Sequence, residues 1–238
     1  MSKVFIIGLP RTGTTSISVA FLNLGFKVAH TAFTKQTFAL ADVVTDCPCF
    51  SDYKQLDKLF PGSQFIYLTR DLTAWLPSVQ RLLQRMLPHL TLKTGQFSPV
   101  LKRSFDQTFQ LSHPDLLTDE HLTACYQNHK TEVMDYFSGK SCFLSIDISK
   151  QNSYQILCDF LKISIDEKDS SSHVSSSPHD SSSPHDSSFP HVNSFPHVNS
   201  FPHVNRGAQV AHWKAVKHSN KISSFSAGKD HRQFLDYT

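Results

Sequence analysis

The chain has 238 residues, 39% of them hydrophobic, enough for one domain with a proper core and too few for two. A formal charge of +3 and a pI near 8.6 suit a small anionic ligand and do not demand nucleic acid. The five cysteines are odd in number and show no CxxC pair, and no apolar run approaches the roughly twenty residues of a membrane span. The expectation is a soluble cytoplasmic protein with reduced thiols, no membrane partner and no zinc site.

In chain order, apolar runs of strand length alternate with longer segments of helical period, the pattern of βαβ units around a parallel sheet. The run from Val4 to Ile7 is a first buried strand, and it is too short for a signal peptide. Residues 14–24 predict a helix ended by Gly25, and residues 26–29 return as a second strand to make a compact βαβ start. After Pro61-Gly62, residues 64–68 form a third strand ending at Thr69-Arg70-Asp71. A helix follows over residues 72–86, with Pro77 expected to kink it or limit its first turns. Leu122, Tyr126, Val133 and Phe137 place another helix over residues 120–137, closed by Gly139. Residues 142–148 are a fourth strand, and Asn152 caps a last helix whose apolar face carries Tyr154, Ile156, Leu157, Phe160 and Leu161. The packed domain is expected to end near Ile165, within a unit spanning residues 1–169.

Composition then changes abruptly to Ser, Pro and His with a six-residue period over residues 170–205: SSSPHD twice, then S-F-P-H-V-N three times. The histidines at 179, 185, 191, 197 and 203 admit two readings, a metal-binding tract or a repeat expansion without a packed core. A polar tail over residues 206–238 offers Trp213 and Phe234 as anchors.

The chemistry is concentrated in Gly8-Leu9-Pro10-Arg11-Thr12-Gly13-Thr14-Thr15, between the first strand and the first helix. Free backbone N–H groups and the helix dipole converge at such a junction and make an anion cradle. The spacing is that of a P-loop, G-x-x-x-x-G-K-[ST], but Thr14 stands where the Lys belongs, which counts against a nucleotide kinase. The cation sits earlier, at Arg11.

Here the chain resembles the sulfotransferases that use 3′-phosphoadenosine-5′-phosphosulfate (PAPS). Their phosphosulfate loop, about P-[KR]-[ST]-G-[TS]-[TS], is matched by Pro10, Arg11, Thr12, Gly13, Thr14 and Thr15. Their 3′-phosphate grip, an Arg at a strand end and a Ser eight residues on, is matched by Arg70 and Ser78. A bacterial-type branch is similar in further respects: an acidic residue at Asp46, an H-x-x-x-V-x-x-[YF]-F helix from His129 to Phe137, the Asp147-Ile148 turn and a terminal F-P-H-x-N. Arg206, Trp213 and Lys214 fall at the spacing of a segment that completes the 3′-phosphate site in some relatives, without its glycines. The resemblance implies a three-layer α/β sandwich with a central parallel sheet and P-loop NTPase-like topology. It also implies transfer of a sulfuryl group from PAPS to a hydroxyl or amine, with PAP released and no metal required.

On that reading Arg11 and the loop N–H groups stabilise charge on the oxygen that leaves sulfur, and Arg11 acts as a fixed charge because its pKa is too high to give up a proton. The base for a hydroxyl acceptor is Asp46, with His30 as the alternative at the end of the second strand. His129 reads as a core histidine, Asp147 as a structural carboxylate, and His89 and His113 as surface groups. Residues 87–118, rich in Pro, Phe and Lys, are expected to cover the site of a small-molecule or carbohydrate acceptor. A P-loop kinase of small molecules or nucleosides and a non-catalytic PAP or PAPS binder are the competing classes.

Overall fold

The computed structural model describes residues 2–91, 94–163, 201–202, 205–206, 209–210 and 213–226. Five parallel strands form the sheet, β1 (Val4–Ile6), β2 (Val28–Ala29), β3 (Val43–Thr45), β4 (Gln64–Leu68) and β5 (Phe143–Ile146), in the order β2-β3-β1-β4-β5. The helices are α1 (Thr14–Asn23), α2 (Lys35–Leu40), α3 (Cys49–Leu59), α4 (Leu72–Leu90), α5 (Pro99–Phe109), α6 (Asp119–Tyr136) and α7 (Ser153–Leu161). No described helix is long and apolar enough to cross a membrane.

Alternation along the central strands sets the layers. Val4, Ile6, Ile66 and Leu68 pack with Ile17 and Phe21 of α1 and Leu157 of α7 on one face. Phe5, Ile7, Phe65 and Tyr67 pack with Tyr53 and Leu56 of α3 and Val133 of α6 on the other. Both faces are covered, as a parallel sheet requires, so the fold is a three-layer α/β sandwich. A further apolar cluster joins α4, α5 and α6 through Trp75, Leu83, Phe105, Phe109 and Leu122.

The structure corrects the sequence expectation in four places. β2 does not pair with β1, because β3 lies between them with Val4 opposite Val43 and Val28 opposite Val43 on the other side. α4 continues to Leu90 with both Pro77 and Pro88 inside it, its buried stripe of Trp75, Val79, Leu83 and Leu90 outweighing the two lost N–H donors. Asn152 precedes α7 in the left-handed region and makes no side-chain cap. Residues 99–109 form α5, which buries Val100, Phe105 and Phe109 in the helical cluster; no described residue of 87–118 lines the main cleft.

Packing also continues past Ile163. Phe201 is buried with its ring edge against Tyr154 at 5.4 Å, so of the three F-P-H-V-N copies the one described at its Phe is the last, with Asn205 and Arg206 pairing antiparallel to Gln209 and Val210. Residues 213–226 run along the edge of β2: Val28 N–H donates to Asn220 O at 2.9 Å and Ile222 N–H to Val28 O at 2.8 Å. The other expectations for the repeats, and the one for Phe234, concern residues outside the described ones.

Candidate functional site

Because the strands are parallel, their carboxyl ends share one side of the sheet, and a cleft of about 1290 Å³ opens there. Each strand delivers a residue to it: the loop Pro10–Ser16 follows β1, His30 follows β2, Asp46 follows β3, Arg70 follows β4 and Asp147 follows β5. β1 and β4 are neighbours whose connections leave in opposite directions, the position at which doubly wound sheets bind ligands.

Two glycines give the loop its course. A Cβ on Gly8 would lie 2.6 Å from Leu68 Cβ and 2.8 Å from its backbone, so glycine permits the close passage of β1 beside β4. Gly13 holds φ at 111°, where side chains are strained, and a Cβ there would collide with Ile148. The chain then turns directly into α1. Thr12 N–H returns to Leu9 O at 3.2 Å and Ile17 N–H to Gly13 O at 3.1 Å. Among the described residues no acceptor meets the N–H groups of Gly13, Thr14, Thr15 and Ser16. Four aligned donors at a helix N-terminus form a cradle for an anion.

Cations frame that cradle. Arg11 Nε donates to Ser78 Oγ at 2.8 Å, and Arg70 Nη1 donates to Arg11 O at 2.6 Å. The expected phosphosulfate and 3′-phosphate residues are thus one connected group. Burial pushes the Arg11 guanidinium below its usual value, and the like charges of Arg70, Arg85 and Arg81 push it further, with Asp46 opposing. Aromatic side chains fix the frame: Trp75 Nε1 donates to Pro10 O at 2.9 Å, and Tyr126 Oη accepts from Arg70 N–H and donates to Arg70 O, each at 3.0 Å. The sequence placed Tyr126 on the apolar face of a helix and gave no signal for Trp75; no motif spacing marks a residue that acts on backbone.

On the opposite wall the two candidate bases meet. Thr14 Oγ1 donates to Asp46 Oδ2 at 3.1 Å, and His30 Nε2 stands 3.6 Å from the same oxygen. Ser18 Oγ donates to Thr14 O at 2.6 Å, which commits its proton. Thr45 Oγ1 lies 2.9 Å from His30 Nδ1 and 3.2 Å from His30 O. The Thr45 hydroxyl donates to His30 O, and Ser18 Oγ also lies 3.1 Å from His30 Nδ1, so two hydroxyls hold the ring from this side. Burial lowers the His30 pKa, partly opposed by Asp46 and reinforced by Lys221. Trp213 covers His30 with ring centroids 5.2 Å apart, and Trp213, Lys214 and Ser224 close this side of the cleft.

Every candidate from Pro10 to Thr15, with His30, Asp46, Arg70 and Ser78, therefore lines one cleft. The side chain of Arg206 lies outside the described residues. His129 is in the core, its Nε2 at 2.7 Å from Phe50 O and its pKa lowered to about 4 by burial. Asp147 lines the cleft and accepts from Ser149 N–H at 2.9 Å and Ser149 Oγ at 2.6 Å.

Among known proteins, the family model of the sulfotransferase domain matches the chain over residues 3–37 and 31–210. No curated protein matches it. The matched residues contain the whole loop, the His30 and Asp46 wall, the Arg70 and Ser78 grip and the sheet that carries them, and they cover most of the sequence: the chain belongs to the sulfotransferase domain family.

Proposed function

We propose that the protein transfers the sulfuryl group of PAPS to a hydroxyl or amine of a small-molecule or carbohydrate acceptor, releasing PAP. The observation that carries this reading is the pairing of four unpartnered loop N–H groups with Arg11 and Arg70, neither of which has a carboxylate partner among the described residues. A half-buried cationic frame of this kind asks for a ligand with anionic groups at two points. The five cysteines are unbridged, in keeping with a reducing compartment, and we place the reaction in the cytoplasm.

PAPS supplies a sulfuryl group already activated as a phosphosulfate anhydride. The loop N–H groups and Arg11 hold its phosphosulfate end. Arg70 takes the 3′-phosphate, and Ser78, which accepts from Arg11 Nε, keeps its own O–H to donate and couples the two ends. The acceptor oxygen forms a bond to sulfur as the bond from sulfur to the bridging oxygen breaks, and the electron pair leaves with the phosphate of PAP. Arg11 and the N–H groups stabilise the charge that develops on that oxygen. Asp46 takes the acceptor proton, held in place by Thr14 Oγ1 with His30 Nε2 standing 3.6 Å away. An amine acceptor that arrives neutral loses its proton to the same carboxylate.

Thr14 also disfavours the kinase alternative, since at the position of the phosphate-binding Lys its hydroxyl is given to Asp46. The test is PAP release from PAPS. Arg11→Ala is expected to lower kcat about a hundredfold or more while changing PAP affinity less. Arg11→Lys restores the charge and is expected to retain substantial activity. If Arg11→Ala releases PAP as fast as the parent while PAP affinity collapses, Arg11 binds without catalysing.

A further inference from the structure

The donor reading leaves cations over. Ser78, Arg81, Leu82 and Arg85 share one face of α4, and this face turns toward the cleft: Ser78 is bonded to Arg11, and Arg81 and Leu82 line the wall beyond it. Arg85 Nε donates to Arg81 O at 3.1 Å, which folds its side chain back along the helix toward Arg81. Both guanidinium groups are exposed and have no carboxylate within ion-pair distance among the described residues.

The surroundings offer them none. Between Asp71 and Asp106 the sequence contains no Asp or Glu, while Arg81, Arg85, Lys93, Lys102 and Arg103 fall in the same stretch. Two of these cations are engaged elsewhere, Lys102 with Gly95 O and Arg103 with Asp52. The cleft's own carboxylates are also committed: Asp71 caps α4 through Ala74 N–H and Thr73 Oγ1, Asp147 accepts from Ser149, and Asp46 accepts from Thr14. Arg81 and Arg85 thus add positive charge beside Arg11 and Arg70, and after burial the like charges of Arg70, Arg85 and Arg81 are what hold the Arg11 pKa below its usual value. Such uncompensated repulsion at a cleft wall fits a second anion, distinct from the donor's two charged ends.

We propose that Arg81 and Arg85 anchor the acceptor, and that the acceptor is an acidic hydroxyl or amino compound whose carboxylate or sulfate they bind while Leu82 contacts its carbon skeleton. The inference rests on the sulfotransfer reading above. The anchored group would leave the acceptor's nucleophile to reach Arg11 and Asp46, which line the same cleft as Arg81. Arg81 is then a specificity residue, bidentate toward a planar anion in a way that a lysine is not.

The test uses the full chain saturated with PAP and two matched probe pairs, methyl β-glucuronide with methyl β-glucoside and 4-hydroxyphenylacetate with 4-hydroxyphenethyl alcohol. Tryptophan fluorescence or calorimetry follows binding. The acid of each pair is expected to bind about ten- to a hundredfold tighter than its neutral partner, the range for hydrogen bonds to a charged group. Arg81→Gln combined with Arg85→Gln is expected to abolish that preference and leave the PAP Kd within about twofold. Equal binding of acid and neutral partner, or no binding by either acid, would overturn the inference. A tenfold loss of PAP affinity in the double variant would overturn it too, by assigning Arg81 to the donor. Failure of the parent to bind PAP at all would instead sink the sulfotransfer reading.

Discussion

Arg11 and Asp46 both line the cleft in left-handed backbone conformations that non-glycine residues seldom take, with φ at 74° and 58°. Left-handed backbone at non-glycine positions costs on the order of 1 kcal/mol or more and persists where the surroundings impose it. At Asp46 this gives a clean experiment, because Asn tolerates the left-handed region as well as Asp does. Asp46→Asn is expected to leave the melting temperature and PAP affinity unchanged and to remove the alkaline-side rate with hydroxyl acceptors. A normal rate would assign the proton to another group. Tyr126 makes a different claim, since its hydroxyl meets both the N–H and the C=O of Arg70. Tyr126→Phe should cost about 1 to 3 kcal/mol of stability by stranding those groups, and should weaken PAP binding by moving Arg70. Stability loss with unaltered PAP affinity would make Tyr126 a core residue only. His129 carries a pH signature: its pKa is lowered to about 4 from 6.5 by burial, so the unfolded state takes up its proton first as pH falls. The contribution is present above about 6.5 and is lost between about 6.5 and 4. Thermal melts across that range should show the loss, reduced in His129→Gln.

Elements differ in how plainly the sequence announces them. The strand at Gln64–Leu68 and the helices beginning at Thr14 and Leu72 are legible because a turn signal precedes a clear apolar pattern. β3 is not, being only Val43, Val44 and Thr45 between Asp42 and Asp46, yet it is the strand that places Asp46 beside the loop. α3 and α5 escape notice because Pro48 and Pro99 read as loop punctuation when each in fact stands at a helix start. The loop itself was legible from its two glycines and its cation, and the structure shows what each glycine does. Gly8→Ala forces a Cβ into Leu68 and is expected to destabilise by several kcal/mol or prevent folding, read as loss of soluble protein or a large drop in melting temperature. Gly62 is the control: at φ 80° with nothing within 4 Å, its Ala variant should cost only about 1 kcal/mol. Similar losses at both sites would mean that β1 and β4 yield to each other more easily than their contact implies.

At the scale of the molecule, the loop side of the cleft was readable in the sequence and the wall over His30 was not. Loop, Arg70 and Ser78 are local motifs on strand ends; Trp213 and Lys214 stood out by spacing alone, and Ser224 carries no motif, so the wall they form over His30 becomes visible only from the path of residues 213–226 along β2. The repeat stretch lies between two anchored points, Ile163 and Phe201, which pack in the same apolar cluster. Its composition cannot bury a core, so removal of residues 170–200 is expected to keep the melting temperature within about a degree and PAP affinity unchanged. A large loss, or nanomolar zinc binding by the deleted peptide, would give the tract a role of its own. The account as a whole rests on the cleft preferring a 3′-phosphorylated donor. A ligand at a hundred times its Kd stabilises by about 2.7 kcal/mol, which for a domain of this size raises the melting temperature by roughly 5 to 10 °C. A thermal-shift panel of PAP, PAPS, ATP and GTP without added metal measures that preference directly. PAP and PAPS should give the full rise and ATP and GTP much less, with Arg70→Ala losing more of the PAP shift than of the shift from adenosine 5′-phosphosulfate, which lacks the 3′-phosphate. Equal shifts from ATP and PAP would contradict the account.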